Sequence, residues 1–70
     1  MRDPARIARI SEKLLQVWQK YPDLRLGQLI TNLGEFGSLE HYAWFIEDDH
    51  MEQRIDAVLA KGWAGLDKRT

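Results

Sequence analysis

Tyr21-Pro22-Asp23-Leu24-Arg25-Leu26-Gly27-Gln28-Leu29-Ile30 is the stretch that decides the fold. Pro22 disfavours helical geometry at Tyr21 and so closes whatever helix precedes it. Leu26, Leu29, Ile30 and Leu33 then recur at i, i+3, i+4 and i+7, the apolar stripe of a second amphipathic helix. One helix therefore stops and another starts within a few residues. Gly27 sits among these leucines although glycine in a helix interior costs about 1 kcal/mol relative to alanine. It predicts close approach by another backbone or an aromatic ring, with Trp18 and Trp44 as candidates.

Upstream, Ile7, Ile10, Leu14, Val17 and Tyr21 are spaced by three and four residues, which predicts an amphipathic helix over 4–20. Leu15 and Trp18 widen its stripe. Asp3 suits the N-cap, and Pro4 the first helical position, where its missing N–H is no loss. The second helix is expected over 25–33, with Asp23 or its neighbour as cap and Gly34 as a left-handed C-terminal cap. Downstream, Asp48, Asp49 and Glu52 crowd the start of a third helix, where the macrodipole favours negative charge. Met51, Ile55, Val58 and Leu59 form its apolar face, Lys61 lies in its last turn and Gly62 caps it, so it spans 48–61.

Between the second and third helices, residues 35–46 are rich in aromatics and glycine. They read as an irregular linker, because a lone strand has no partner and an isolated hairpin is marginal. Trp63 and Leu66 are expected to fold back onto the helices, and residues 67–70 to fray. The fold class is thus all-α: one small bundle of three main helices in a single domain spanning 1–70. The predicted core is Ile7, Ile10, Leu14, Val17, Leu26, Leu29, Ile30, Leu33, Ile55, Val58 and Leu59.

The chain has 70 residues and no cysteine. At this size folding buries only about 60% of the surface of the unfolded chain, so stability is marginal. Disulfides are not available, and two histidines make a structural metal an unlikely aid. Good helix packing or self-association remains. No apolar run approaches the roughly 20 residues of a membrane span, and the opening Met1-Arg2-Asp3-Pro4 lacks a signal-peptide core. The expected location is cytoplasmic, with no membrane partner.

Charge is unevenly spread. Arg2, Arg6, Arg9, Lys13, Lys20 and Arg25 against Asp3, Glu12 and Asp23 leave residues 1–25 at +3. Arg54 against Glu35, Glu40, Glu47, Asp48, Asp49, Glu52 and Asp56 leaves residues 26–60 at −6. The tail contributes +2, and the whole chain carries −1. Such asymmetry points to attraction between the halves, within the fold or between subunits. Arg2, Arg6, Arg9, Lys13 and Lys20 fall within about 80° on one side of the first helix, a basic edge beside the apolar stripe. Binding of phosphates by five cations would be strongly salt-dependent, but the overall balance is far from that of a typical nucleic-acid binder.

Catalytic signatures are poor. The acidic run 47–52 around His50 lacks the paired-histidine spacing of a zinc site. Ser38 and His41 make an imaginable pair, yet Ser38 is better explained as a cap or turn residue. No phosphate-cradling loop or cofactor motif is present, so the expectation is a protein that is not an enzyme, with no metal and no cofactor. Two features favour contact with another protein. Arg25, Gln28 and Asn32 share the outer face of the second helix, and Trp44 and Trp63 lie in irregular segments. Tryptophan, tyrosine and arginine dominate interface hot spots.

The run Trp18-Gln19-Lys20-Tyr21-Pro22-Asp23-Leu24-Arg25-Leu26-Gly27-Gln28-Leu29-Ile30-Thr31-Asn32, followed by Phe45-Ile46-Glu47-Asp48-Asp49, resembles a family of short uncharacterised bacterial and phage proteins. These carry a W-x-x-x-P-D-L-R-L-G-Q-L-I-x-N core and then an F-Y-x-E-D segment before a last helix. The resemblance covers roughly residues 4–59 and departs at 40–44, where the family has a short proline-containing linker. It implies a small helical bundle of bacterial or phage origin and carries over no catalytic residue. The resulting expectation is a small interaction protein, a regulator or inhibitor contacting its partner through Arg25, Gln28, Asn32, Trp44 and Trp63. The alternatives are a nucleic-acid-binding accessory protein using the basic edge, and a homodimer formed through the first helix.

Overall fold

The structure is a computed structural model and describes residues 2–34 and 46–66. Three α-helices and a 3-10 turn occupy them: α1 (Ala5–Lys20), α2 (Leu26–Leu33), α3 (Asp48–Lys61) and the turn Trp63–Leu66. The fold is all-α, as the periodicities predict. The predicted linker at 35–45, with Trp44, Ser38 and His41, lies outside the described residues, as does the tail at 67–70. No helix among the described residues is long and apolar enough to cross a membrane.

Each helix boundary has a local cause. Asp3 Oδ1 accepts the Ala5 N–H at 2.9 Å, and Pro4 at φ −64° is already helical, so the chain enters α1 without strain. At the other end the Tyr21 N–H donates to the carbonyls of Val17 and Trp18 at 3.1 Å each. Pro22 then occupies the second position of a turn closed by the Leu24 N–H on the Tyr21 carbonyl at 3.2 Å, a position its fixed φ favours. The Trp18 indole N–H donates to the Leu24 carbonyl at 2.8 Å, tying the end of this turn back to α1.

The start of α2 differs from expectation. Its N-cap is Arg25, in extended geometry, not Asp23. The Gln28 Oε1 reaches back to accept the Arg25 N–H at 2.9 Å, which is the glutamine half of a capping box. The end of α2 differs more. Gly34 is extended at φ −76° rather than left-handed. Its N–H still donates to the carbonyls of Ile30 and Thr31 at 3.1 Å each, and the two carbonyls beyond them are met by Arg54 of α3. Its Nε donates to the Leu33 carbonyl and its Nη2 to the Gly34 carbonyl at 3.0 Å. Arg54 is only 5% exposed. A cation at a helix C-terminus also complements the macrodipole.

The core is small. Val17, Leu29, Leu33, Ile55 and Val58 are fully buried, and Ile10, Leu14, Trp18, Tyr21, Leu24, Met51, Leu59, Trp63 and Leu66 pack around them. Three predicted core residues are not among them: Ile30 is only half-buried, Ile7 is 58% exposed and Leu26 is 49% exposed. Ile7 fails because α1 turns its basic edge towards α3 together with Val17, and Ile7 lies about 120° round the helix from Lys13. Leu26 belongs to the first turn of an eight-residue helix, whereas the contact with α3 is made at the other end, through Leu33 and Arg54.

The glycines also change roles. A Cβ built on Gly27 meets nothing within 4 Å, so no close approach explains it. Gly65 is the tight position, where a Cβ would lie 2.7 Å from the Ala57 carbonyl oxygen. Gly62, at φ +72°, caps α3 as expected and sends the chain back, so that Trp63 and Leu66 reach the core.

Gly27→Ala is expected to stabilise the protein by about 0.5–1 kcal/mol, read as a higher urea midpoint at unchanged slope. Gly65→Ala lowers that midpoint, because backbone must move to admit the methyl group. Arg54→Met is expected to lose about 2–3 kcal/mol in the same measurement, since it leaves buried carbonyls without a donor.

Candidate protein-contact site

The charged groups come first, because they determine which surfaces remain. Along the α1–α3 seam every residue of the predicted basic edge meets a group of the acidic half. Arg2 pairs with Glu47 at 2.7 Å, Arg6 with Asp48 at 2.5 Å and Lys13 with Asp56 at 3.0 Å. Arg9 grips Glu52 with two hydrogen bonds of 2.7 and 3.0 Å, and Lys13 adds a third to the same carboxylate at 2.7 Å. Lys20 reaches the Leu59 carbonyl at 3.5 Å. The basic edge is therefore an internal seam.

Glu52 is the node of this seam, with a side chain only 13% exposed. The Arg9 hydrogen bond and then that from Lys13 hold its carboxyl down at about 2, against an ordinary value of 4.5, while burial opposes them. The same bonds raise the pKa of Arg9 and of Lys13. Asp48 is lowered, chiefly by its hydrogen bond from Arg6. Individual exposed pairs are worth about 0–1 kcal/mol, so the seam matters through its shared node and its direction more than through any single contact.

The acidic run therefore faces cations of its own chain. Asp48 and Glu52 are held by α1, Asp49 Oδ1 accepts the His50 N–H at 2.8 Å, and no group of three metal-ligating side chains converges among the described residues.

Of the predicted partner-binding residues, the structure brings Arg25 and Gln28 together at the exposed start of α2. The Gln28 oxygen is engaged in capping, and Asn32 is half-buried. Trp63 lies elsewhere, in the 3-10 turn, where its ring packs on Tyr21 with centroids 5.3 Å apart and planes at 42°. Beside this pair is a hollow of about 280 Å³ lined by Lys20, Tyr21, Pro22, Asp23, Leu24 and Trp63. It ends one residue before Arg25, so Trp63 and the head of α2 flank the same turn.

The polar tips of the aromatic pair are informative. Neither the Trp63 Nε1–H nor the Tyr21 hydroxyl has a hydrogen-bond partner among the described residues, and no buried side-chain nitrogen or oxygen there lacks one. Neither tip is therefore fully buried. Amphipathic rings with a wet end are characteristic of interfaces. The sequence marks Tyr21, Pro22 and Asp23 only as stripe, helix-stop and cap residues. Their part in the hollow depends on the return of Trp63 through Gly62, and no sequence periodicity reports that return.

A second hollow, of about 240 Å³, lies beside the exposed Ile7 and is lined by Arg6, Ile7, Ile10, Ser11 and Asp48. Comparison with family models, curated proteins and solved structures returns no match.

The Glu52 carboxylate generates a pH prediction with a definite sign. Its pKa is lower folded than unfolded, so its contribution to stability is complete above about pH 4.5 and is lost as pH falls towards 2. Urea midpoints of wild type and Glu52→Gln are expected to differ at pH 6 and to converge on acidification. A constant difference across that range would show that the node is not electrostatic.

Proposed function

We propose that this chain is a non-enzymatic protein-interaction domain of bacterial or phage origin, a regulator or inhibitor that acts by binding another protein. Its contact surface is the hollow at the α1–α2 turn, with Trp63 and Tyr21 at its centre and Arg25 and Gln28 alongside. The supporting observation is the aromatic pair, whose hydrogen-bonding tips have no partner among the described residues and are not fully buried. A ring with an open donor supplies apolar area and direction to a partner at once. The reading also fits the charge distribution: the basic edge is engaged with α3, which disfavours its use as a polyanion surface.

Proximity labelling in the native host identifies the partner, and titration of that purified protein tests the surface. Trp63→Phe is expected to weaken binding about tenfold, Arg25→Ala to weaken it less, and both to keep the helical circular dichroism of wild type. Unchanged affinity in both variants overturns the proposal.

A second reading is self-association through α1. Ile7 and Leu15 are 58% and 48% exposed, and with Ser11 and Trp18 they fall on one arc of about 80°. Sedimentation equilibrium decides it. A mass that rises with concentration and returns to monomer in Leu15→Glu supports the dimer, and a constant monomer mass discards it.

A further inference from the structure

Building on the interaction reading, we infer that the end of the molecule where α1 and α3 terminate binds an acidic segment of the partner protein, with carboxylates set against Lys20, Arg25 and Lys61 and an apolar side chain in the hollow beside Trp63. The ion pairs define this end. Arg2 meets Glu47, Arg6 meets Asp48, Arg9 meets Glu52 and Lys13 meets Asp56. Partners ascend together, so α1 and α3 run parallel and their last residues, Lys20 and Lys61, lie at the same end. Two contacts join the helix ends there. Lys20 reaches the Leu59 carbonyl at 3.5 Å, and a Cβ built on Gly62 would lie 3.3 Å from the Tyr21 hydroxyl oxygen. The turn after α1 leads from this end into Arg25, the N-cap of α2.

Charge at this end is unbalanced. Lys20, Arg25 and Lys61 are exposed, and none of them belongs to an ion pair among the described residues. The carbonyl that Lys20 contacts has no net charge, so it neutralises none of the ammonium. Asp23 is the one carboxylate at this end among the described residues. Asp3 and Asp49 stand at the opposite end, with the starts of α1 and α3. Three cations thus face one carboxylate here, on a chain whose net charge is −1. Complementarity calls for an acidic partner surface.

Position gives one of these cations particular weight. Lys20 and Lys61 occupy the last turns of α1 and α3, where the macrodipole favours positive charge. Arg25 precedes the first turn of α2, where the same dipole opposes a cation, so the local helix field does not favour it there. Its guanidinium can hold a carboxylate with two parallel hydrogen bonds. Lys20 borders the hollow of about 280 Å³ whose walls include Tyr21, Pro22, Leu24 and Trp63. A segment that flanks an apolar residue with carboxylates meets both the cations and this lining. A nucleic acid fits less well, because its phosphates recur at every nucleotide and Asp23 stands among the cations.

The test uses the whole chain, labelled for amide resonances, and a synthetic Glu-Glu-Leu-Glu-Glu peptide titrated to millimolar concentration. Its glutamine counterpart is the charge control, and an oligothymidylate of matching length is the phosphate probe. The expected result is saturable movement of amides in residues 20–25 and 61–63 with the glutamate peptide at low salt, weakened about tenfold at about 0.5 M salt. Lys20→Gln and Arg25→Gln are each expected to weaken that binding about two- to fivefold and Lys61→Gln about twofold. Glu12→Gln, which removes a carboxylate from the middle of α1, leaves it unchanged. Amide spectra that overlay with wild type away from each substitution show that the variants keep the fold.

Absence of saturable movement with the glutamate peptide overturns the inference, as does equal binding of the glutamine peptide or an affinity unmoved when Lys20→Gln and Arg25→Gln are combined. Tighter binding of the oligothymidylate also overturns it and assigns this end to phosphates. The broader interaction proposal is tested separately: a natural partner whose binding depends on Trp63 but is indifferent to salt and to both substitutions retains that proposal and removes this one.

Discussion

A buried guanidinium holds α2, the shortest α-helix among the described residues, in place. Eight residues are too few for a helix to persist alone in water, and α2 contacts α3 chiefly at one end. Arg54 meets that end with its Nε and Nη2 on the carbonyls of Leu33 and Gly34. It satisfies acceptors that would otherwise be buried without a donor, and it places positive charge where the α2 dipole is negative. Leu29 and Leu33 are then held against Ile55 and Val58 in the core. The position of the α1–α2 turn, and so of the hollow beside it, follows from this anchor together with the Trp18 hydrogen bond to Leu24.

The α1–α3 seam shows how charge asymmetry can orient a helix. The apolar stripe of α1 alone would centre its buried face between Ile7 and Val17. The acidic face of α3 shifts that orientation towards the arginines and lysines, with Glu52 gathering Arg9 and Lys13. The stems of these long side chains cover apolar surface while their heads pair. Only Val17 of α1 becomes fully buried, and Ile7 is left outside. An exposed aliphatic flank and a paired basic edge thus share one cause.

At the opposite end, the chain reversal at Gly62 gathers the aromatic residues. Its positive φ directs the 3-10 turn back against α3, and Gly65 permits the approach to Ala57 that closes the reversal. Trp63 therefore lands on Tyr21, where the two rings complete the rim of the core while their polar tips stay without a partner among the described residues. That combination of packing and open hydrogen bonding separates this surface from the exposed aliphatics of α1, which lack any directional group.

Much of the fold was legible in the residues. The periods of three and four, the stop at Pro22 and the cap at Gly62 determined three helices and their order, and the charge imbalance between the two halves pointed to their pairing. These are local signals, carried by backbone sterics and by side chains a turn apart. The roles of Ile7, Leu26, Gly27 and Gly34 were not legible, nor was the buried state of Arg54. The aromatic site was half legible: Trp63 stood out by type, but its partner Tyr21 looked like a stripe residue. Each of these depends on which face of one helix meets another, a choice among near-equivalent rotations. Tertiary packing decided it, through ion pairs, a shared guanidinium and a chain reversal that join residues far apart in sequence.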